Sequence, residues 1–245
     1  MGIIQTSEKL IRSKFPTLDV YQNKKLSHFE SDLFINDDIV YKIFNQSYRL
    51  YRQSYLWILD NKKYPNCLNI ENQLYQGDKL IGCTTEYQPS FKSMAEVLKS
   101  RKFDYYEAKQ LLDIIINNIN ILAADKLIYI DSTIYNIGFN NDKLIMLDID
   151  GVDYITNKVD YVNYLNAAYL NAYYVYFTLI LEENLVEIIP SDFYDNVLNI
   201  KKFKTKLDLI RTIVNSMNKN IYDEINFKYN NCSFLIFVII YIYYK

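Results

Sequence analysis

The stretch IYIDSTIYNIGFNNDKLIMLDIDG, residues 128–151, carries the strongest functional pattern in the sequence. Asp131 and Asn136 stand five positions apart in a polar loop, and an apolar strand over 144–147 then leads to Asp148. Two oxygen ligands, one from a loop and one from a strand end, suit a hard cation such as Mg²⁺. A second carboxylate nearby can accept a proton from an attacking hydroxyl. The stretch therefore predicts metal-assisted chemistry.

A lysine upstream extends this pattern. Lys42 follows the apolar triplet Ile39-Val40-Tyr41, and a strand lysine directed into a cleft is a ready partner for phosphate. Taken alone, Lys42 would be an ordinary strand lysine that reaches solvent, and Asp131 and Asn136 would be turn residues. Their order and spacing together give them functional weight.

Composition excludes several other chemistries. The 245 residues carry a net charge of -2, which argues against a dedicated nucleic-acid binder. His28 is the only histidine, so multi-histidine metal sites are excluded, and we interpret it as a solvated loop residue. Cys67, Cys83 and Cys232 are far apart without a CxxC motif, which predicts free thiols in a reducing compartment.

The targeting signals are weak. The N-terminus has no basic segment followed by a long apolar run, so no signal peptide is predicted. Gly2 and Thr6 fit the short N-myristoylation pattern. The apolar run over 234–244 is too short to span a bilayer. We expect a cytoplasmic protein without a transmembrane span, with delivery into a host cell as an alternative.

The first third of the chain predicts mostly β-structure. Residues 32–44 read as two strands joined at 36–38, and residues 67–76 and 79–87 as two more, joined at Gly77-Asp78. Apolar residues at helical spacing predict one amphipathic helix over 47–62, which ends before Tyr64-Pro65-Asn66.

The character of the sequence changes after Pro89. Helices are predicted over 92–100 and 104–124, followed by short β-rich stretches at 127–130 and 143–149. Long apolar helices are then predicted over 160–185, 192–200 and 203–227. The predicted class is α+β, with a small β-rich part followed by a larger helical part.

The order of these motifs resembles the protein-kinase-like superfamily over about residues 18–180. The resemblance implies one kinase-like domain with a two-lobed fold, an N-lobe over 1–88 and a C-lobe over 89–245. The matching features are the third-strand lysine in IVYKIF (39–44), the turn Tyr64-Pro65-Asn66 after the αC helix, the hinge Thr85-Glu86-Tyr87, the D-x-x-x-x-N spacing of Asp131 and Asn136, and Asp148 at the place of the DFG aspartate.

The resemblance also implies roles for these residues. Lys42 would contact the α- and β-phosphates of ATP, and Asp131 would orient and deprotonate the acceptor hydroxyl. Asn136 and Asp148 would hold Mg²⁺. The remaining cofactor-binding positions would be Thr85 at the gatekeeper place and the backbone of Glu86, Tyr87 and Gln88 at the adenine edge.

The chain departs from the family at the phosphate loop and the αC helix. No glycine occurs between Gly2 and Gly77, so residues 23–31 would have to cover the phosphates, with Lys24, Lys25 or Ser27 in reach. Tyr55 stands where the family has its αC glutamate, and Gln53 or Asp60 could replace that glutamate only after a helix shift.

Further departures lie in the catalytic loop and beyond it. Tyr129 and Ile130 replace the family's histidine and arginine, and Thr133 stands where serine/threonine kinases have lysine. Asp150 could be a second metal ligand. The segment after Gly151 is short, as in minimal kinases such as compact bacterial effector kinases.

Three hypotheses follow. The first is an ATP- and Mg²⁺-dependent protein kinase acting on serine or threonine. The second is a small-molecule kinase of the choline or aminoglycoside type, and the third is a nucleotide-binding pseudokinase or interaction module. No acidic helical insertion for a cationic acceptor appears between 88 and 128, which favours a protein substrate. A helical protein unrelated to kinases is the remaining alternative. The oligomeric state is not indicated.

Overall fold

The structure, a computed structural model, describes residues 2–18, 30–60, 62–181 and 208 of the chain. Its strands are β1 (Gly2–Gln5), β2 (Ser31–Asn36), β3 (Ile39–Phe44), β4 (Ile70–Gln76), β5 (Lys79–Glu86), β6 (Phe91–Ser93), β7 (Leu127–Ile128), β8 (Ile137–Asn140), β9 (Lys143–Met146) and β10 (Asp153–Tyr154). Its helices are α1 (Glu8–Lys14), α2 (Gln46–Gln53), α3 (Leu56–Asp60), α4 (Met94–Val97), α5 (Tyr105–Ala124) and α6 (Lys158–Leu181). These residues form a mixed α+β fold.

The chain divides into two compact units. The first unit comprises Met1–Lys92 with Gly138–Val152, and the second comprises Ser93–Ile137 with Asp153–Lys245. The first unit thus includes a segment, 138–152, that the sequence analysis assigns to the C-lobe.

A five-stranded sheet of order β1-β4-β5-β3-β2 forms the framework of the first unit. Its hairpins turn over two residues each, at 37–38, within the predicted turn 36–38, and at the predicted positions 77–78. Asp37 has a φ of 53° and Gly77 a φ of 61°, and Asp and Gly both tolerate this left-handed conformation. The predicted strand pairs 32–44 and the turn at Gly77-Asp78 are therefore confirmed.

Helix α1 covers one face of this sheet. Its N-cap is Ser7, whose hydroxyl accepts a hydrogen bond from the Leu10 backbone N–H at 3.2 Å. The core beneath it consists of Ile11, Phe34, Ile43, Leu74 and Ile81. Strand β1, which pairs in parallel with β4, and helix α1 were not predicted from the sequence.

The single helix predicted over 47–62 is interrupted at residues 54–55, so the prediction of one continuous helix is wrong. Helix α2 ends at Gln53, and α3 begins at Leu56. The Ser54 hydroxyl donates to the Tyr51 carbonyl at 2.6 Å, and the Tyr55 N–H bonds to the Arg52 carbonyl three residues back. Such local bonds replace the regular helical pattern and redirect the chain.

The predicted strand 67–76 starts later than expected, at Ile70. Asn69 closes the preceding loop, because its side chain accepts from the Tyr64 N–H at 2.7 Å and donates to the Tyr64 carbonyl at 3.0 Å. Residues 67–69 therefore belong to this loop rather than to the strand.

The second unit contains the predicted helix over 104–124, confirmed as α5. A capping box between Asp104 and Glu107 fixes its start. The predicted helix over 92–100 is wrong in length, because a capping box between Ser93 and Glu96 starts α4 at Met94, and the helix ends at Val97.

Helix α6 accounts for most of the predicted helix 160–185, and it packs on α5. The Tyr161 hydroxyl donates to the Ala123 carbonyl at 3.0 Å. Apart from Asp208, the predicted helices 192–200 and 203–227 lie outside the described residues, as do Cys232 and the run 234–244. Of the helices that the structure describes, none is long and apolar enough to cross a membrane.

Candidate functional site

Strand β3 places Lys42 on the face of the sheet opposite α1. Side chains alternate along a strand, and Tyr41 and Ile43 contact the core beneath α1. Lys42 and Phe44 therefore lie on the other face. Lys42 is 9% exposed, so its ammonium group requires partners within the protein.

Two aspartates approach Lys42 from the segment after β9. Asp148 adopts a left-handed backbone with φ 59°, and its carbonyl accepts the Gly151 N–H at 2.9 Å. This bond closes a single 3-10 turn over Ile149–Gly151. The turn brings the carboxylates of both Asp148 and Asp150 to Lys42.

The Lys42 ammonium forms ion pairs with both carboxylates. Its Nζ donates to Asp148 Oδ1 and lies 3.1 Å from Asp150 Oδ1 and 3.0 Å from Asp150 Oδ2. The Asp148 side chain is 36% exposed, whereas that of Asp150 is 4% exposed. One carboxylate thus faces solvent and the other is enclosed.

Arg52 of helix α2 completes this arrangement, which we call the Lys42 cluster: Lys42, Arg52, Asp148, Asp150 and Glu30. Arg52 Nη1 donates to Asp150 Oδ2 at 2.9 Å, and Nη2 donates to Glu30. The guanidinium lies 4.4 Å from the centre of the Phe44 ring. Arg52 is 1% exposed, so its charge depends on these partners.

Tyr55 does not face Lys42 as a substitute for a glutamate. Its buried hydroxyl donates to the backbone carbonyl of Asp150 at 2.7 Å. Tyr55 therefore holds the turn that carries the two aspartates, and helix α2 contributes the cation Arg52 to the cluster instead of an anion.

Electrostatics in the cluster favour the charged forms of Lys42, Arg52 and Asp148. Burial opposes the charge on Lys42, but Asp148 and Asp150 outweigh it and raise the pKa of Lys42 above its usual value. Burial likewise opposes ionisation of Asp148, and Lys42 outweighs it and lowers the pKa of Asp148. Asp150 and Glu30 raise the pKa of Arg52 against the effect of burial.

The predicted adenine-binding positions are the last two residues of strand β5, Thr85 and Glu86, and the two residues after it, Tyr87 and Gln88. Thr85 is 8% exposed in the sheet and pairs in register with Val40. The Tyr87 N–H donates to the Asp38 carbonyl at 2.7 Å, so this donor is already used within the first unit. The Gln88 side chain accepts a hydrogen bond from Asn140.

The second unit holds the predicted catalytic loop. Asn136 Nδ2 donates to Asp131 Oδ2 at 2.7 Å and to the Asp131 carbonyl at 3.2 Å. Helix α6 anchors the loop, since Asn171 Nδ2 donates to the Ile130 carbonyl at 2.6 Å. Asp131 is exposed, so its carboxylate is accessible from solvent.

The donor set is only partly suited to a divalent cation. Across the described ranges, no group of three or more His, Cys, Asp or Glu residues could hold a metal ion. Asp148 suits such an ion better, because its carboxylate is partly exposed and Lys42 donates to its Oδ1 alone. Asp150 suits it less, because Lys42 and Arg52 already occupy its oxygens.

The sequence pattern predicted Lys42, Asp148 and Asp150 as candidate site residues, but it indicated neither Arg52 nor Glu30, which the structure places beside them. An arginine in an amphipathic helix usually marks the solvated face, and the one available signal was its position three residues before Tyr55. His28 and the proposed phosphate-covering residues Lys24, Lys25 and Ser27 lie outside the described residues.

The chain matches no protein-family model and no curated protein sequence.

Proposed function

We propose that this protein is an ATP- and Mg²⁺-dependent phosphotransferase, acting as a protein kinase on serine or threonine hydroxyls. The observation that carries the proposal is the pairing of Lys42 with Asp148, because a strand lysine beside a partly exposed carboxylate supplies both a phosphate contact and a metal ligand. The two-lobed kinase-like fold is part of the same proposal.

The proposed roles follow from the chemistry of each group. Lys42 binds phosphate oxygens, and Asp148 together with Asn136 provides oxygen ligands for the metal. Mg²⁺, when bound, neutralises charge on the phosphates. Asp131 accepts the proton of the acceptor hydroxyl, and its hydrogen bond with Asn136 supports this role by orienting the carboxylate.

Asp131→Asn tests the proposal most directly. Wild type should transfer labelled γ-phosphate from Mg²⁺·ATP to itself or to a generic protein, and Asp131→Asn should reduce the rate by roughly 10²–10⁴-fold. Asp142→Asn is the matched control, because Asp142 is an exposed turn residue whose φ of 64° asparagine tolerates. Equal rates in Asp131→Asn and wild type would reject the mechanism.

The acceptor is identified in the same assay. A panel of small alcohols and aminoglycosides separates a protein kinase from a small-molecule kinase, because the labelled product differs in size. Label on small alcohols alone would replace the protein acceptor with a small molecule.

A nucleotide-binding module without turnover is the second candidate. The Lys42 ammonium already pairs with the carboxylates of Asp148 and Asp150. Tyr55, at the place of the family's αC glutamate, donates to the Asp150 carbonyl and has no carboxylate with which to form the usual lysine–glutamate pair. Binding of Mg²⁺·ATP without transfer to any acceptor would favour this candidate.

A further inference from the structure

We propose that Asp150 is a positioning residue for Lys42 and that Arg52 acts through Asp150, an inference that rests on the proposed function of Lys42. In this arrangement the helix beside β3 supplies a cation, and the anchoring carboxylate comes from the segment after β9. The two aspartates of Asp148-Ile149-Asp150 then have different tasks.

The hydrogen bonds of Asp150 support an anchoring role. Both of its carboxylate oxygens lie within 3.1 Å of Lys42 Nζ, and Oδ2 also accepts from Arg52 Nη1 at 2.9 Å. Its backbone carbonyl accepts from Tyr55 at 2.7 Å. Arg52 on the carboxylate and Tyr55 on the backbone carbonyl therefore hold Asp150 so that it presents its carboxylate to Lys42 in a fixed place.

Burial separates Asp150 from Asp148. The Asp150 side chain is 4% exposed and therefore poorly accessible to a soluble ligand, whereas the Asp148 side chain is 36% exposed. Asp150 is therefore suited to hold Lys42, and Asp148 remains accessible for the proposed metal.

Arg52 compensates the negative charge of the buried Asp150 carboxylate. Lys42 faces two carboxylates, and a further cation is needed to balance the enclosed one. The guanidinium supplies it while packing on Phe44, and its second nitrogen is paired with Glu30 at the edge of the cluster. Arg52 and Lys42 are both cations and repel each other directly, so any stabilising effect of Arg52 on the position of Lys42 passes through the carboxylate of Asp150, which pairs with both.

The test measures how firmly Lys42 is held, independently of turnover. Each variant is treated at one fixed pH with an amine-acetylating reagent, and mass spectrometry gives acetylation of Lys42 relative to the exposed Lys79. The variants are Asp150→Asn, Arg52→Met and their combination. Arg49→Met is the control, since Arg49 lies on the same helix but pairs with Glu8. Circular dichroism verifies folding.

Asp150→Asn should raise the relative acetylation of Lys42 and the KM for ATP about tenfold each, with a smaller change in kcat. Arg52→Met should do the same, and the double variant should add little, because both changes break one linkage. Arg52→Lys, which keeps the charge but loses the fork, should give an intermediate value, and Arg49→Met should match wild type.

Unchanged acetylation of Lys42 in folded Asp150→Asn would overturn the inference, as would multiplicative effects in the double variant. If Asp150→Asn does not fold, unchanged acetylation in folded Arg52→Lys would overturn it in the same way. Raised acetylation in a chain that transfers no phosphate would reject the proposed function and retain the positioning role. Phosphate transfer by wild type together with unchanged acetylation of Lys42 in the variants would retain the proposed function and reject the positioning role of Asp150.

Discussion

Arg52 is nearly completely buried, and its guanidinium joins Asp150 to Glu30 within the first unit. A buried cation of this kind contributes little net stability as a pair, but its removal leaves a buried carboxylate without sufficient compensation. Because removing Arg52 costs more than the ion pair contributes, we expect the free energy of unfolding to be more sensitive to substitution at Arg52 than at the other positions of the cluster.

Arg52→Met should lower the free energy of unfolding by about 3–5 kcal/mol. Methionine retains part of the packing on Phe44 but leaves Asp150 with Lys42 alone. Urea denaturation gives the value, and Arg49→Met serves as the control. Arg49 pairs with the partly exposed Glu8 and donates to the Phe44 carbonyl at 2.8 Å, so the loss of both contacts should cost about 1–2 kcal/mol. Equal losses in the two variants would contradict the assignment of Arg52.

Asp148 should make the protein sensitive to acid. Its pKa is lowered in the folded state, so its stabilising effect is present above the ordinary value of 3.8 and is lost as the pH falls through the lower folded pKa. The difference in unfolding free energy between wild type and Asp148→Asn should therefore be largest near neutral pH and shrink in strong acid. A difference that stays constant from pH 7 to pH 2 would show that Lys42 does not lower this pKa.

At the scale of elements, turns were the most predictable features and breaks in regular structure the least. Gly77-Asp78 could be placed because few residue types tolerate a left-handed backbone. The break between α2 and α3 contains neither proline nor glycine, and it depends on hydrogen bonds of Ser54 and Tyr55 that periodicity does not reveal. The parallel pairing of β1 with β4 joins residues seventy positions apart, beyond any local pattern.

The candidate site follows the same division. Lys42 was predictable because it lies within an apolar strand, and Asp148 and Asp150 because they come two and four residues after the end of one. Arg52 was not, because its burial results from tertiary contacts with Asp150 and Phe44. Spacing along the chain identifies which residues a strand presents, but it does not identify which helical residue turns toward them.

Gly82→Ala should disturb the pairing of β3 with β5. A Cβ at Gly82 would lie 2.1 Å from the Lys42 carbonyl oxygen, a backbone atom that cannot move without shifting the strand. We expect a loss of about 1–3 kcal/mol in unfolding free energy, measured by urea denaturation. Gly77→Ala is an informative comparison, because nothing lies within 4 Å of its Cβ and only its φ of 61° is strained. A cost of about 1–2 kcal/mol is expected there.

Gly82→Ala should also weaken binding of Mg²⁺·ATP, since the displaced backbone belongs to Lys42 itself. Gly77→Ala should leave that binding unchanged. Weaker binding in Gly77→Ala than in Gly82→Ala would contradict the role of this strand pair.

At the scale of the whole molecule, the proposed tasks fall on different units. The first unit carries Lys42, Asp148 and the segment 85–88, all assigned to the nucleotide and its metal, whereas the second carries Asp131, assigned to the acceptor, and the proposed metal ligand Asn136. Under the proposed function, nucleotide binding and phosphate transfer should therefore respond to different substitutions.

Thermal unfolding with and without Mg²⁺·ATP tests this separation. At a concentration near one hundred times Kd, ligand binding to the folded protein adds about 2.7 kcal/mol, which raises the Tm of a chain of this size by about 5–10 °C. Wild type and Asp131→Asn should show this rise in full. Lys42→Ala should lose most of it, whereas Lys79→Ala, which removes an exposed lysine from β5, should keep it. Asp131→Asn removes only the proton acceptor, so a Tm rise without phosphate transfer in that variant would separate nucleotide binding from the chemical step. Loss of the Tm rise in Asp131→Asn alone would instead assign nucleotide binding to the second unit.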